Sequence, residues 1–74
     1  LMMYKDYLKS LVGKEGDLSF ARGEMPIFYI GGTNYRSHKI IKVEDDFVII
    51  HYEVNKHIID YIFPLSTFTI RIEN

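Results

Sequence analysis

Residues 47–63 read Phe-Val-Ile-Ile-His-Tyr-Glu-Val-Asn-Lys-His-Ile-Ile-Asp-Tyr-Ile-Phe. The stretch decides the fold class, because two runs of β-branched and aromatic residues flank a short polar break. The first run, residues 47–54, alternates, with Phe47 and Ile49 on one side and Val48, Ile50, Tyr52 and Val54 on the other. Asn55-Lys56 predicts a turn, and residues 57–63 predict a second strand that Pro64 ends. The stretch therefore predicts two antiparallel strands.

The same strand pattern extends to both sides of this stretch. After Pro26, residues 27–30 are a compact β-prone run, and residues 31–34, Gly-Gly-Thr-Asn, predict a hairpin bend. Residues 35–43 then read as extended, with Lys39, Ile41 and Val43 on one face and His38, Ile40 and Lys42 on the other, and residues 44–46 predict the next turn. The last strand, residues 67–72, alternates between an inward set of Phe68, Ile70 and Ile72 and an outward set of Thr67, Thr69 and Arg71.

The N-terminal part of the chain has a different period. Residues 3–13 predict a helix, because Tyr4, Tyr7, Leu8, Leu11 and Val12 form one apolar stripe. Gly13 and Gly16 are expected to end it. Residues 14–25 leave two alternatives open, since Leu18-Ser19-Phe20-Ala21 fits either a short strand or an ordered loop.

The elements together predict a single domain over residues 1–74. The fold class is mainly β, with the helix followed by a strongly bent, five-stranded antiparallel sheet between about residue 17 and residue 72. Short connections favour pairing of each strand with the next one in the chain. A sheet of five short, twisted strands closes best as a small SH3-like barrel.

Composition excludes several classes of protein. The 74 residues carry 9 basic and 10 acidic side chains, so a net charge of -1 argues against a polybasic nucleic-acid binder. Cysteine is absent, which removes disulfides and thiol catalysis. No apolar run approaches the length of a membrane span, and the N-terminal residues lack a signal peptide's apolar stretch, so a cytoplasmic location is expected.

No residue pattern indicates catalysis, a metal or a cofactor. His51 and His57 have no serine or cysteine nucleophile at a recognisable spacing, so they are interpreted as satisfied or surface histidines. Gly31-Gly32 is interpreted as a turn rather than a phosphate-binding loop, because no helix start with Lys-Ser/Thr follows. We therefore expect a protein that is not an enzyme.

Small size makes self-association the favoured route to stability. A core built from so few residues barely offsets the entropy of ordering the chain, and small domains without disulfides or metals commonly assemble. Strands 57–63 and 67–72 carry more branched apolar residues than a small barrel needs, which predicts edges that pair with another copy. The predicted edge residues are Ile58, Ile59, Tyr61, Phe68, Ile70 and Ile72.

The residues from Pro26 onward resemble the Sm-like superfamily, which includes the Sm, LSm and Hfq proteins. The pattern is most similar to that of Hfq, the bacterial RNA chaperone, in the spacing from Pro26 to Asp45-Asp46-Phe47-Val48 and in the segment at residues 61–67, Tyr-Ile-Phe-Pro-Leu-Ser-Thr. The resemblance implies a homo-oligomeric ring of about five to seven copies in which the last two strands pair between subunits. It also implies binding of single-stranded RNA and a role as an RNA chaperone or regulator.

The resemblance also implies where RNA would bind. On one face the implied residues are Phe47, which would stack on a base, together with Asp46 and Tyr61. On the opposite face they are Ile30, Tyr35 and Arg36, and Lys39 extends the basic stretch around them. Asp45 is implied to be a structural carboxylate in its turn.

The chain departs from the family pattern at polar positions. Ile62-Phe63 stand where Hfq carries a Lys-His pair, and Asp46 stands where it carries a glutamine. From the residues alone, the favoured interpretation of Phe47 is a barrel aromatic, and that of the basic stretch is one solvated strand face. The alternative function is a protein-interaction or scaffolding oligomer whose RNA site has been lost. A monomeric peptide-binding barrel is less favoured, because the chain has no tryptophan.

Overall fold

The structure is a computed structural model that describes residues 3–20, 23 and 25–74. Within these residues the elements are α1 (Tyr4–Ser10), β1 (Glu15–Phe20), β2 (Pro26–Gly31), β3 (His38–Val43), β4 (Phe47–Val54), β5 (His57–Pro64), a 3₁₀ turn (Leu65–Thr67) and β6 (Thr69–Glu73). The prediction of a mainly β chain with an N-terminal helix is confirmed. None of the described helices is long and apolar enough to cross a bilayer.

Helix α1 is shorter than the predicted span of residues 3–13. Residues 11–13 form turns instead, and Gly13 takes a φ of 94°, a left-handed conformation that glycine adopts without a steric penalty. The amide of Gly13 donates a hydrogen bond of 2.8 Å to the Ile40 carbonyl, which joins the end of the helix to β3. Leu8 and Leu11 bury the apolar stripe, whereas Tyr4 and Tyr7 remain partly exposed.

The sheet has six strands in the order β5-β4-β3-β1-β2-β6, one strand more than predicted. The additional strand, β1, contains Leu18 to Phe20, for which the sequence left a strand and a loop open. It pairs antiparallel with both β2 and β3 and so separates them, which replaces the expected hairpin between residues 27–30 and 35–43. Strand β6 pairs with β2 in parallel, so the sheet is mixed rather than wholly antiparallel.

Gly16 permits the close packing of β1. A Cβ atom at this position would lie 2.2 Å from the carbonyl oxygen of Tyr29 and 2.9 Å from the ring of Phe28. Only a residue without a side chain fits there, so Gly16 lets the beginning of β1 lie close to Phe28 and Tyr29 of the neighbouring strand β2. Glycine at residue 16 was interpreted from the sequence as a helix stop, whereas its structural role is this close approach.

The side chains of β3 do not follow the predicted alternation, because the strand contains a β-bulge. Ile40 pairs with Ile50 and Lys42 with Ile49, so Ile41 is an extra residue on β3. The bulge changes the alternation, because an inserted residue reverses the face of every side chain that follows it. Lys39 and Lys42 therefore share the outer face, and Val43 turns inward with Ile40 and is buried.

The β4–β5 hairpin forms as predicted. Asn55 and Lys56 have φ values of 49° and 66°, the two positive values of a type I′ turn, and Val54 pairs with His57. The two faces of β4 also agree with the sequence pattern, since Val48 and Ile50 are fully buried while Phe47 and Ile49 lie on the opposite face.

The core lies between α1 and the inner face of the bent sheet. It consists of the buried residues Leu8, Leu11, Phe28, Ile40, Val43, Val48, Ile50 and Phe68. Complete burial of each such side chain stabilises the fold by roughly 1.5–3 kcal/mol. At the open side of the sheet, the Phe63 ring of β5 stacks on Phe68 at 5.9 Å and meets Phe20 of β1 at 6.0 Å.

The rings of Phe63 on β5 and of Phe68, the residue before β6, thus meet at the short connection between the two outermost strands. Among the described strands no hydrogen-bonded ladder joins β5 to β6, so the sheet is strongly bent without closing through its backbone. The predicted closed barrel remains a prediction.

Candidate interaction surfaces

The two edges of the sheet are the strands that the sequence analysis singled out for pairing between copies. β5 and β6 are the first and last strands in the sheet order. The predicted edge residues divide into two groups. Ile58 is exposed at 67% and Ile59 and Ile72 are moderately exposed, whereas Tyr61, Phe68 and Ile70 pack on the core. Self-pairing at these edges would therefore use backbone groups of both strands, with apolar side chains exposed on both faces of β5.

The outer face of β5 carries two isoleucines. Ile58 is exposed at 67% and Ile62 at 64%, and Ile62 lies beside Ile49 of β4. Burying such branched side chains against another surface is favourable, and long apolar edge strands are sites at which other chains add. The sequence signal for this surface is the density of isoleucine at residues 58–62.

A cluster of charged groups lies next to these isoleucines on the outer face. The imidazole Nδ1 of His51 lies 2.7 Å from Asp60 Oδ1, and its Nε2 lies 3.1 Å from Glu53 Oε1. An ionised carboxylate only accepts hydrogen bonds, so a protonated imidazole, which donates from both ring nitrogens, satisfies both contacts. The hydrogen bonds to Glu53 and Asp60 accordingly raise the pKa of His51.

This cluster was not predicted from the sequence, although the position of the turn indicates that His51 and Asp60 are opposite each other. A two-residue turn at Asn55-Lys56 pairs Val54 with His57. Three residues further from the turn on each strand, His51 pairs with Asp60. Lys39 of β3 is the cross-strand neighbour on the other side of His51. No group of three or more His, Asp or Glu in the described part of the chain is arranged to hold a metal ion.

His38 occupies the opposite, inner face. Its ring stacks on Tyr52 at 4.3 Å with an interplanar angle of 9°, and its Nδ1 lies 2.9 Å from Ser37 Oγ. Partial burial lowers the pKa of His38, against the opposing effect of the Asp17 carboxylate. The environment of His38 therefore favours a neutral ring packed on an aromatic neighbour.

The loop between β2 and β3 forms a second surface. Ile30 and Arg36 line one shallow cavity of about 290 Å³ together with Gly31 and, from the turn after α1 and the start of β1, Gly13, Lys14 and Glu15. Tyr35 is exposed at 79% and is adjacent to Arg36 in the chain. The structure thus brings Ile30 and Arg36 together, and it adds Lys14, which the sequence analysis did not consider. Lys39 points instead to the outer face of the sheet, beside His51.

The residues implied for the other RNA-binding face are separated by the sheet. Phe47 is half-buried on the outer face opposite Pro64, whereas Tyr61 lies on the inner face, stacked on Phe63 at 5.8 Å. Asp46 accepts a hydrogen bond from the Leu65 amide through its main-chain carbonyl, at 2.9 Å. Within one copy, Phe47 and Tyr61 therefore do not line one surface.

Asp45 links the β3–β4 turn to the helix. Its carboxylate accepts a hydrogen bond of 3.2 Å from Lys5 Nζ. This bond, together with the positive charges of Lys5 and Lys9, lowers the pKa of Asp45. The side-chain partner of Asp45 is therefore a helix lysine across the fold.

Comparison with protein-family models, with characterised proteins and with solved structures found no match for this chain. The class that the fold and its surfaces define is a small, mainly β protein with an N-terminal helix and an exposed apolar edge strand, β5.

Proposed function

We propose that this protein is a non-enzymatic binding module that assembles with copies of itself through the two edges of its sheet. The observation that carries the proposal is the exposure of β5, an eight-residue edge strand with Ile58 and Ile62 both more than three-fifths exposed. Such a strand offers unpaired backbone groups and apolar side chains at once, which is the condition for pairing with another chain.

The arrangement of the edges favours a closed assembly. β5 and β6 are different strands, so a contact between them joins copies head to tail. A head-to-tail contact that returns to its start gives a ring. A ring of about five to seven copies, as in the Sm-like proteins that the sequence resembles, is the form that we propose.

The solution mass of the purified protein tests this proposal directly. Analytical ultracentrifugation or light scattering is expected to give a discrete multiple of 8.7 kDa. A folded monomer over the whole concentration range would overturn the proposal. Absorbance at 260 nm of the same sample reports whether nucleic acid has purified with it.

Binding of single-stranded RNA is the second part of the proposal, and the surface at the β2–β3 loop supports it. Tyr35 offers an exposed ring for stacking on a base, and Arg36 and Lys14 offer positive charge beside the apolar side chain of Ile30. Titration with A-rich and U-rich RNA oligomers tests it. The absence of binding tighter than about 10⁻⁴ M at physiological salt would remove this function.

The competing candidate is a scaffolding oligomer that binds protein rather than RNA. The net charge of -1 and the apolar Ile62-Phe63 pair favour it, because neither attracts a polyanion. Recovery of a protein partner without nucleic acid from the same purification would support this candidate over RNA binding.

A further inference from the structure

We propose that the protonation of His51 controls self-association at the edge strand β5, by neutralising the single acidic side chain of that strand. The inference rests on the self-assembly proposed above and deepens it by naming its regulation. Three observations carry it: the composition of β5, the two contacts of the His51 ring, and the positions of the other charged groups around that ring.

The edge strand β5 carries one carboxylate on an otherwise apolar outer face. Its sequence contains one acidic residue, Asp60, and neither lysine nor arginine. Asp60 lies on the same face as Ile58 and Ile62, the two most exposed isoleucines of the strand. A charged side chain on an edge strand opposes the addition of another chain, because pairing would bring the charge out of water beside apolar residues. Neutralising Asp60 therefore makes pairing at this edge more favourable.

The ring of His51 contacts this carboxylate from the neighbouring strand β4. Its Nδ1 lies 2.7 Å from Asp60 Oδ1, and its Nε2 lies 3.1 Å from Glu53 Oε1. The protonated ring donates to both carboxylates, whereas the neutral ring has one N–H group and donates to only one of them. Two carboxylates and one cation sum to a charge of -1, and two carboxylates with a neutral ring sum to -2. Loss of the proton thus adds negative charge at the edge, whichever nitrogen keeps its hydrogen.

The other charged groups around His51 do not take its place at Asp60. Titratable side chains of β1, β3 and β4 line a cavity of about 210 Å³ together with His51: Glu15, His38, Lys39 and Glu53. The His38 ring stacks on Tyr52 on the inner face. Lys39 pairs with His51 on the side away from β5, so two strand spacings of about 4.8 Å separate its backbone from that of Asp60. Among the described residues, His51 is the one basic side chain within salt-bridge distance of Asp60.

The direction of the pH effect follows from these contacts. Hydrogen bonds to Glu53 and Asp60 raise the pKa of His51 above its ordinary value of 6.5. Below the raised value the ring is a cation that neutralises Asp60, so self-association is favoured. As the pH rises through the raised value, the edge gains negative charge and self-association weakens. Each junction is thereby linked to the uptake of at most one proton, so its association constant changes by at most about tenfold per pH unit.

Sedimentation of the wild-type protein between about pH 6 and about pH 9 measures this linkage, because the range spans the titration of a histidine whose pKa is raised. The association constant is expected to fall as the pH rises. Circular dichroism of the same samples establishes that the chain stays folded at each pH. An association constant that is unchanged over this range, or that increases with pH, would overturn the control by His51.

Two substitutions are expected to remove the pH dependence by strengthening association at high pH. Asp60→Asn removes the carboxylate, and His51→Lys keeps a cation beside it above the pH at which histidine loses its charge. Both variants should form discrete assemblies at about pH 9 as readily as the wild type does at about pH 6, a gain that a failure to fold does not produce. His57→Gln is the matched control, because it removes a histidine of β5 and leaves the contact between His51 and Asp60 in place. It should keep the pH dependence of the wild type.

The results separate a wrong regulation from a wrong function. If the wild type and Asp60→Asn are both monomeric at every pH, the self-assembly and its control by His51 are overturned together. If the wild type assembles equally at every pH, or keeps its pH dependence in Asp60→Asn and His51→Lys, the control alone is overturned. Assembly that weakens with pH in the wild type and in His57→Gln, but in neither of the other two variants, supports both.

Discussion

His51 on β4 and Asp60 on β5 face each other across a hairpin, with 2.7 Å between the imidazole Nδ1 and the carboxylate Oδ1. The two-residue turn at Asn55-Lys56 sets this pairing, because it determines which residues of the two strands are opposite. The pair thus connects the local structure of one hairpin to the edge at which the protein is proposed to assemble.

The contribution of His51 to stability should depend on pH. Its pKa is raised in the folded state by hydrogen bonds to Glu53 and Asp60, so its stabilisation is fully present below the unfolded value of 6.5 and is lost as the pH rises through the raised value. We expect the difference in free energy of unfolding between wild type and His51→Gln to be largest near pH 6 and to shrink above about pH 6.5. Urea denaturation over this range measures it.

The matched control for this experiment is His57→Gln, because His57 is an exposed histidine of the same hairpin. His57→Gln removes a histidine of the same hairpin and leaves the contacts of His51 with Asp60 and Glu53 in place. A pH-independent difference for His51→Gln would contradict the assignment of a protonated imidazole.

Lys56 occupies a backbone conformation that favours glycine. Its φ of 66° is costly for a residue with a side chain, and a type I′ turn prefers Asn-Gly at its two central positions. We expect Lys56→Gly to raise the free energy of unfolding by about 0.5–1 kcal/mol, after the greater flexibility of glycine in the unfolded chain is subtracted. Chemical denaturation measures the change.

The control for the turn is Lys9→Gly, a loss of the same side chain within α1. It should lower the free energy of unfolding by about 1 kcal/mol, because glycine is a poor helix former. Destabilisation by both substitutions would contradict the turn assignment.

Gly16 is expected to tolerate no side chain. A Cβ atom there would meet the main-chain carbonyl oxygen of Tyr29 at 2.2 Å, and main-chain atoms in a paired strand have little freedom to move. We expect Gly16→Ala to cost about 3 kcal/mol or more, the upper range for overpacking a core. Thermal denaturation followed by circular dichroism measures it, with Ser19→Ala on the same strand as the control. A loss of stability no greater than that of the control would contradict the close approach of Gly16 to β2.

Self-assembly should make stability depend on concentration. A ligand or subunit that binds only the folded state raises the unfolding temperature as its concentration rises. The midpoint of thermal unfolding of the wild type is therefore expected to increase by several degrees over about a 100-fold increase in protein concentration. Ile58→Lys, which places a charge on the exposed edge strand β5, should flatten this dependence. An invariant wild-type midpoint would contradict assembly under these conditions.

Tyr35 and Phe47 distinguish the two surfaces considered for RNA. Loss of a stacking ring weakens single-strand binding by about 1–3 kcal/mol per base. We expect Tyr35→Ala to reduce affinity for A-rich oligomers by this amount and Arg36→Ala to reduce the salt dependence of binding, while Phe47→Ala has a smaller effect. Fluorescence anisotropy at several salt concentrations measures all three. A larger effect of Phe47→Ala would move the binding surface to the outer face of the sheet.

Local sequence patterns accounted for the elements that form from neighbouring residues. The alternation of residues 47–54 and the turn at Asn55-Lys56 each depend on contacts or dihedral angles within a few positions, so the sequence alone predicts them. The His51–Asp60 pair can also be predicted from local sequence, by counting residues outward along both strands from the turn at Asn55-Lys56. Among the candidate site residues, the grouping of Ile30 with Arg36 was implied by a family resemblance, and the structure brings the two side chains to one cavity.

The sequence by itself thus determined a mainly β chain with an N-terminal helix, and it determined which face of β4 is buried. It does so because the period of the apolar residues indicates which side chains are removed from water. Only the tertiary structure decided the insertion of β1 between β3 and β2, the parallel pairing of β2 with β6 and the bulge at Ile41. Each of these depends on strands fitting against one another, as Gly16 of β1 fits against Tyr29 of β2 and as Ile27 of β2 pairs with Thr69 of β6. The period of the apolar residues does not indicate which distant strand a given strand will pair with. That pairing depends on how the side chains pack and on which strands have unpaired backbone N–H and C=O groups.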